Sequence, residues 1–462
     1  MPTETYSLAE VLAVAKTHPF YNPDVQYPAD AKAIQRIREL VNEQPALNLQ
    51  DQPLLTKNIL YKTIKRLTHD VDSQNTYRHS SYTSITGGGS GGIPMMFAVD
   101  VHENRRQRAQ MGKFLRRCGV IEPHDWVLST QLAGGFYRAL DLTTELIENA
   151  GGTILSAGSY MLPAEVAQAL ADYHVNVLSG DSSQIIRVVN YISTMTQQNR
   201  DRININKIIY TSEPLTGPQR AFIKKVLGDV KIFSILGSAE VGPWAISIPD
   251  LMKDQDPTST TDFIFDTRNV LVEIFPSSAL QDTSLPSLDP ILDPLPQGES
   301  GLIVQTSLQR LRNPVVRYIA GDIGSVHPIP DVAYGMIPEA EYLRVLRMQG
   351  RDRRFSFKWF GNYFEFEKID SFMQVKEHGI LQWQIILGQL QTSPQVTLEM
   401  RLFRSSQEEY LSDQALIQGL MSFFTVFPEN EHLFRVVFLE DLGGFERSAT
   451  AEKIIKFVDR CH

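Results

Sequence analysis

Residues Lys207–Glu240 read KIIYTSEPLTGPQRAFIKKVLGDVKIFSILGSAE. Two short apolar runs, Lys207–Thr211 and Lys231–Leu236, flank a stretch with helical spacing, Pro218–Leu227. A strand, a helix and a second strand in this order form a βαβ unit, with the two strands parallel in one sheet. Both strands run into polar loops, Ser212-Glu213-Pro214 and Gly237-Ser238-Ala239-Glu240. Ligands of parallel sheets sit where strands give way to loops.

The same alternation continues upstream. Trp126–Thr130, Thr153–Ser156 and Val175–Ser179 read as strands, and Arg138–Ala150, Pro163–Tyr173 and Ser182–Gln198 as helices. Together they predict an α/β fold built on a mostly parallel sheet. From Asp262 the chain turns β-rich: Phe263–Phe265, Leu271–Phe275, Gly301–Thr306, Val315–Tyr318 and Arg344–Arg353 read as strands. Pro276–Gly298, rich in Pro, Ser and Asp, reads as a surface loop. Beyond a hinge at Gly350–Arg354 lies a small α+β domain. It reads as strand Phe355–Phe366, helix Glu367–Glu377, strands Leu381–Leu390 and Gln395–Leu402, helix Leu411–Phe424, strand His432–Phe438 and a basic tail helix. The expected domains are 1–350 and 351–462. The first 80 residues read as helical and peripheral.

Tyr82–Pro94, YTSITGGGSGGIP, places a glycine run between two strands, Tyr82–Thr86 and Met95–Val99. Glycines let backbone N–H groups turn inward around an anion. A flexible linker has the same composition. Ile93-Pro94 stands where a P-loop has its lysine, and a strand follows where a dinucleotide fingerprint has a helix. Asp100 then caps a long basic helix ending at Gly119, with Glu103 placed to complete a capping box.

The chain has 462 residues, 42% of them hydrophobic and 21% charged, and a net charge of −9. That balance fits a globular protein and speaks against a general nucleic-acid or membrane-surface binder. Two distant cysteines, Cys118 and Cys461, exclude a disulfide scaffold, so a reducing cytoplasm is expected. No apolar run is long enough to span a membrane.

Taken in order, these stretches resemble the adenylate-forming enzymes, in particular the branch of phenylacetate–coenzyme A ligases. The resemblance runs from about Leu54 to Arg460. Gly87–Pro94 stands at the family's phosphate loop, Thr211–Pro214 at its adenine-lining segment and Leu236–Glu240 at its Tyr-Gly-x-Ser/Thr-Glu motif. Arg317–Asp322 stands at Arg-Tyr-Arg-Thr-Gly-Asp, Gly350–Arg354 at the hinge and Glu452–Arg460 at the terminal lysine motif. Departures include Leu236 for the motif tyrosine, Ala239 for the Ser/Thr, Arg353-Arg354 for an acidic pair and Glu452 for a glycine.

The resemblance implies that a carboxylate attacks ATP·Mg²⁺ to give an acyl-adenylate, which then reacts with the thiol of coenzyme A. It implies ATP contacts from Thr86, Gly87, Gly88, Gly89, Ser90, Gly91, Ser212, Glu213, Pro214, Leu236, Gly237, Ser238, Asp322 (on the ribose) and Arg351. Glu240 would bind Mg²⁺, and Lys453 would join the carboxylate to the α-phosphate. The small domain would swing between the two steps. Leu132, Phe136 and Tyr137 point to an aryl or other flat apolar carboxylic acid. Asp181 would hold a polar substituent of that acid or cap the helix that follows it. A carrier-protein thiol or an amine is the alternative acceptor, and a catalytically impaired nucleotide-binding relative is the alternative to an enzyme. A homodimer is among the expected assemblies.

Overall fold

The computed structural model describes residues 5–41, 47–85, 96–134, 136–211, 215, 217–251, 261–276, 293–351, 356–390, 395–404, 411–446 and 454–461. The described residues divide into two compact units, one reaching to Gly350 and one starting at Arg351.

The first unit is organised by one sheet of eleven described strands. Five are parallel neighbours, in the spatial order Thr153–Ser156, Trp126–Ser129, Val177–Asp181, Lys207–Thr211, Lys231–Ser238. Gly242–Ser247 folds back antiparallel on Lys231–Ser238, and Thr261–Asp266 and Leu343–Arg351 extend the sheet antiparallel from there. Tyr318–Pro328, Gly301–Ser307 and Val270–Phe275 complete it. The β-rich part is therefore continuous with the parallel part. The strand after Val315 begins only at Tyr318 and runs on to Pro328.

Alternation along the parallel strands separates two cores. Val127, Val177, Ile209, Phe233 and Ile235 pack with Phe114 and Leu115 of helix Val101–Arg117 and with Leu146 and Ile147 of helix Ala139–Ala150. Their chain neighbours Leu128, Leu178, Ile208 and Ile232 pack on the opposite face. There they meet helices Pro163–Asp172, Ser182–Thr194 and Gly217–Leu227. This two-residue period is what a strand covered on both faces requires.

The first 80 residues are not peripheral. Helix Lys57–His69 buries Leu60, Ile64 and Leu67 completely, one below another at helical spacing, against a core containing Phe97, Trp244 and Phe265. The chain before it supplies helix Leu8–Ala15, closed by a Ser7–Glu10 capping box. Its Val11, Leu12 and Val14 pack on Leu308, Leu311 and Val316. Helix Lys57–His69 is one-sided, with its polar residues facing away from that core, while Leu8–Ala15 is apolar nearly all round and buries Val11, Leu12, Val14 and Ala15 in a cluster of its own. Asp100 caps its helix as expected, accepting from His102 and Glu103 N–H groups at 2.8 and 3.2 Å. Glu103 does not complete a capping box. It turns inward and accepts from Leu311 N–H at 2.9 Å and the Tyr6 hydroxyl at 3.1 Å.

His18 is a buried pin of this region. Its Nε2 bonds Asn313 Oδ1 at 3.1 Å, and its Nδ1 accepts from Phe20 N–H at 3.2 Å. Burial pulls its pKa down to about 3, from 6.5 when unfolded. The unfolded chain therefore takes up a proton that the folded chain refuses. The stability from this site is fully present above pH 6.5 and is lost as pH falls towards 3, at up to about 1.4 kcal/mol per unit. Between pH 7 and 5, urea unfolding should show a loss of about 2 kcal/mol in the wild type that His18→Gln lacks. Equal losses in both proteins would count against this origin of acid sensitivity.

The second unit has a four-stranded sheet ordered Phe434–Phe438, Val396–Arg404, Ile380–Gln389, Phe457–Asp459. Helices Phe366–Met373 and Asp413–Phe423 pack on it through Ile369, Leu416 and Leu420. Two expectations fail here. Phe355–Phe366 is not one strand but a hairpin, Ser356–Trp359 with Asn362–Glu365, because Phe360 and Gly361 both take positive φ (43° and 83°). The tail is not a helix: Phe457–Asp459 pairs parallel to Ile385–Leu387. Phe457 stacks on Phe357 with centroids 4.8 Å apart. Aromatic and β-branched residues of this short tail gain more from that apolar sheet than from a solvated helix.

Candidate active site

Strand Lys231–Ser238 passes into Gly242–Ser247 through a turn that carries Glu240. The turn admits no side chain at its end: Gly242 has φ +81°, and a Cβ there would lie 2.4 Å from Gln107 Oε1. Ser238 Oγ accepts from Val241 N–H at 3.1 Å. The carbonyls of the turn are all claimed by buried side chains. Arg310 Nη1 donates to Ala239 O at 3.2 Å and to Glu240 O, and Gln107 Nε2 donates to Val241 O. Arg310 Nη2 in turn donates to Gln107 Oε1 at 3.0 Å. Burial lowers the Arg310 pKa to about 10, against the opposing pull of Glu103 and Glu240.

The Glu240 carboxylate is itself buried. Its Oε1 accepts from the Tyr318 hydroxyl at 3.1 Å and from the Tyr61 hydroxyl at 3.4 Å. Tyr318 belongs to the Arg317–Asp322 stretch, so two motifs that are far apart in sequence meet at one carboxylate. Tyr318 also forms a parallel bridge to Leu55, just ahead of the helix that carries Tyr61.

Arg317 points away from any ligand role. It has φ +46°, is buried, and pairs with Glu273 at 3.2 Å. Its Nη1 donates to the carbonyls of Gln50 and Gln52 at 3.0 and 2.9 Å. Asp322 follows Gly321, whose φ is +79°. Leu302 and Val304 pair with Ile323 and Ile319, so two steps on one strand face four on the other. Ala320–Asp322 therefore leave the ladder as a bulge, a device that re-aims side chains beside functional sites. Asp322 is half-exposed there.

The two strands expected beside the glycine run are present, as Ser81–Ile85 and Met96–Asp100, and they pair antiparallel. Their base is tied to the helices behind the sheet. The Tyr82 ring carries Arg108 at 4.5 Å and Arg138 at 4.0 Å from its centroid. Arg108 also pairs with Asp141 and Glu145 at 2.9 and 3.0 Å.

Near the residues expected to line an acid pocket, Gln131 Nε2 donates to Thr211 Oγ1 at 3.2 Å, across the ends of strands that Val177–Asp181 separates. Asp181 caps helix Ser182–Thr194, accepting from Gln184 N–H at 2.8 Å. It also lies close enough to Tyr137 to raise the phenol pKa, although burial is the larger cause. Leu132 and Phe136 do not join this group: Phe136 is 76% exposed, with φ +67°. Leu236 packs against the Trp244 core, while Gly237 and Ser238 are exposed. Ser129 and Ser179 are register partners on adjacent strands and are fully buried. Neither hydroxyl has a hydrogen-bond partner among the described residues, which costs about 1–3 kcal/mol each.

Thr86, Gly87, Gly88, Gly89, Ser90 and Gly91, together with Ser212, Glu213, Pro214 and Lys453, lie outside the described residues. Arg351 closes the Leu343–Arg351 strand, and its side chain is outside the described set. The positioning residues Tyr61, Gln107 and Arg310 were not picked out in the sequence. For Tyr61 and Gln107 the signal was an aromatic or polar residue at a core-facing helix position; Arg310 lies in the connection between Gly301–Ser307 and Tyr318–Pro328 and had no local signal.

Mg²⁺ bound with phosphate oxygens needs one or two carboxylates. Glu240, with one oxygen held by tyrosines, fits that donor set. Among the described residues, Glu122, His124 and Asp125 form a cluster of potential ligands. Lys207 already pairs with both its carboxylates at 2.7 and 2.8 Å.

The structure of 2-hydroxyisobutyryl-CoA ligase in complex with 2-HIB-AMP and CoA, in its thioesterification state, matches this chain with a TM-score of 0.64. Identity is 16%, over 98% of this chain and 88% of that one. The chain has the adenylate-forming ligase fold. The same ligase in its post-adenylation state with 2-HIB-AMP matches with a TM-score of 0.54 at 14% identity, over 98% and 88% of the two chains. Indoleacetate–lysine synthetase of Pseudomonas savastanoi is 28% identical over 163 residues, 35% of this chain and 39% of that protein. The match thus spans well under half of the synthetase. No family model matches the chain. No helix among the described residues is long and apolar enough to cross a membrane.

Proposed function

We propose that this protein activates a carboxylic acid with ATP, forming an acyl-adenylate and pyrophosphate, and then transfers the acyl group to the thiol of coenzyme A. The observation that carries this reading is the Tyr318–Glu240 contact. It joins two stretches, read separately as a metal-binding and a ribose-binding motif, into one buried site on the adenylate-forming ligase fold. The neighbouring ligase binds an acyl-AMP and CoA, which favours the same pair of steps. Two anions must meet in the first step, so electrostatic stabilisation is the main task. Mg²⁺, when bound, would neutralise phosphate charge. Glu240 would hold it, Asp322 would accept from the ribose hydroxyls, and Lys453 would approach the carboxylate and the α-phosphate. An already ionised acid needs no general base. We assign the substrate to the aryl acids and the chain to the phenylacetate–CoA ligase-like branch.

A second reading keeps the adenylate and changes the acceptor to an amine. The 28% identity to a lysine-conjugating synthetase favours it. Pyrophosphate release should require ATP, Mg²⁺ and an acid together. Folded protein that stays silent across a broad aryl and alkyl panel would count heavily against both readings. Adding coenzyme A, a carrier protein or lysine to the active mixture, and identifying the acyl product by mass, then separates the acceptors.

A further inference from the structure

Helix Val101–Arg117 ends beside a cavity of about 320 Å³ whose described lining shares no residue with the proposed nucleotide, metal or acid contacts. That volume lies at the lower end of the range for small-ligand sites. Its walls include Lys113, Phe114, Arg117, Asp266, Arg268 and Glu339. Leu343 pairs in register with Asp266, so the cavity sits at the start of strand Leu343–Arg351, and the expected hinge stands at the other end of that strand.

The two guanidinium groups are held in place from two sides. Asp266, which is buried, accepts from Arg117 Nη2 at 2.8 Å and from Arg268 Nη2 and Nε at 2.7 and 2.9 Å. Arg117 lies 5.1 Å from the centroid of the Phe114 ring, and Arg268 lies 4.3 Å from that of Tyr342. Glu339 is a looser partner. Its Oε2 accepts from Arg117 Nη1 at 2.6 Å and from Arg268 Nη2 at 2.8 Å, yet its side chain is 51% exposed. Its φ is +60°, a left-handed conformation that costs free energy in a residue with a Cβ. The arginines do not need Glu339 to stay in place. Two arginines face two carboxylates here; without Glu339 the set is positive, with Lys113 on the same wall.

We propose that this cavity binds a phosphate group, and that Glu339 is the place-holder the phosphate displaces. A phosphate puts a separate oxygen on each guanidinium fork, where Glu339 shares one oxygen between them. It also brings close to two negative charges at neutral pH. Its arrival frees Glu339 to leave the left-handed conformation. A monocarboxylate brings one charge, no more than the group it must displace. Free phosphate, pyrophosphate and a nucleotide monoester such as AMP all present this chemistry. The site stands apart from the proposed reaction, and its test needs no turnover.

Calorimetry on the full chain without Mg²⁺ tests it, with inorganic phosphate, pyrophosphate and AMP as probes and acetate as the monocarboxylate. Glu339→Gln keeps the size of the side chain and removes the competing charge. It should tighten binding of at least one phosphate probe about tenfold, the combined worth of two partly exposed ion pairs. Acetate should gain far less. Adding Arg268→Gln to that variant should cancel the gain. A gain by phosphate or pyrophosphate alone makes the ligand a free ion, and a gain by AMP extends it to esters. Phosphate held only at the proposed nucleotide site would be indifferent to Glu339→Gln. Unchanged affinity of all three phosphate probes in Glu339→Gln, or a gain shared equally by acetate, would overturn the proposal, and both are readable even if the Arg268 variant fails to fold.

Discussion

Lys453→Ala is expected to slow acyl-adenylate formation by about 10²–10³-fold, the usual worth of a preorganised donor aimed at developing charge. The residue belongs to the terminal stretch whose lysine, by resemblance, joins the attacking carboxylate to the α-phosphate. ATP affinity should change little, because Leu236, Gly237, Ser238, Glu240 and Asp322, among the proposed nucleotide contacts, belong to the first unit. If the second unit rotates between the two half-reactions, thioester formation from supplied acyl-adenylate and coenzyme A should survive. Lys456→Ala is the control. In the structure its ammonium bonds Gln382 Oε1 and lies 4.5 Å from the centroid of the Trp383 ring. Removing those local contacts should cost far less rate. Rapid-quench measurement of the two half-reactions decides the matter. Equal losses in both, or a Lys456 effect as large as that of Lys453, would mean that Lys453 is a solvated surface group.

Arg310→Ala should destabilise the first unit by about 3–5 kcal/mol, as removal of one member of a buried charged set does. The guanidinium closes three hydrogen bonds around the Glu240 turn, and its loss leaves the Ala239 and Glu240 carbonyls and Gln107 Oε1 to find other partners. Glu103 and Glu240 would also lose the buried cation that attracts them. Chemical denaturation reads the stability. Arg310→Lys should recover part of it, since an ammonium keeps the charge but not the forked reach. Nucleotide use should then show a raised Mg²⁺ requirement in Arg310→Lys, because the turn that presents Glu240 is less well held. A variant as stable as the wild type, with unchanged metal dependence, would remove Arg310 from this role.

The parallel half of the fold was legible because each strand there alternates between two apolar cores, as Val127 and Leu128 do. The β-rich half was legible as strands only in part: Gly242–Ser247, which joins it to the parallel half, was not read as a strand, since nothing local in it says which strand it will pair with. The tail was misread because lysines at helical spacing outweighed Phe457 and Val458, whose partner strand lies some 70 residues earlier. Glu240 was legible from its motif. Its supports were not, because Tyr61, Gln107 and Arg310 come from three separate segments and only folding brings them together. The Asp181 cap was legible as one of two readings. The orphaned serines had no local signal, since a buried serine and a solvated one look alike in sequence.

The dependence of one turn on Tyr61, Gln107, Arg310 and Tyr318 also sets a minimum size for the site. No contiguous fragment shorter than Tyr61–Tyr318 contains all the groups that hold Glu240. A protease cut between Phe275 and Gly301, in the stretch whose composition reads as a loop, would leave those groups on two pieces, Tyr61 and Gln107 on one and Arg310 and Tyr318 on the other. The two pieces can rebuild the carboxylate's surroundings only by reassociating. Nicked protein should therefore keep the proposed metal-dependent chemistry while the pieces stay together, and neither piece should retain it when they are separated.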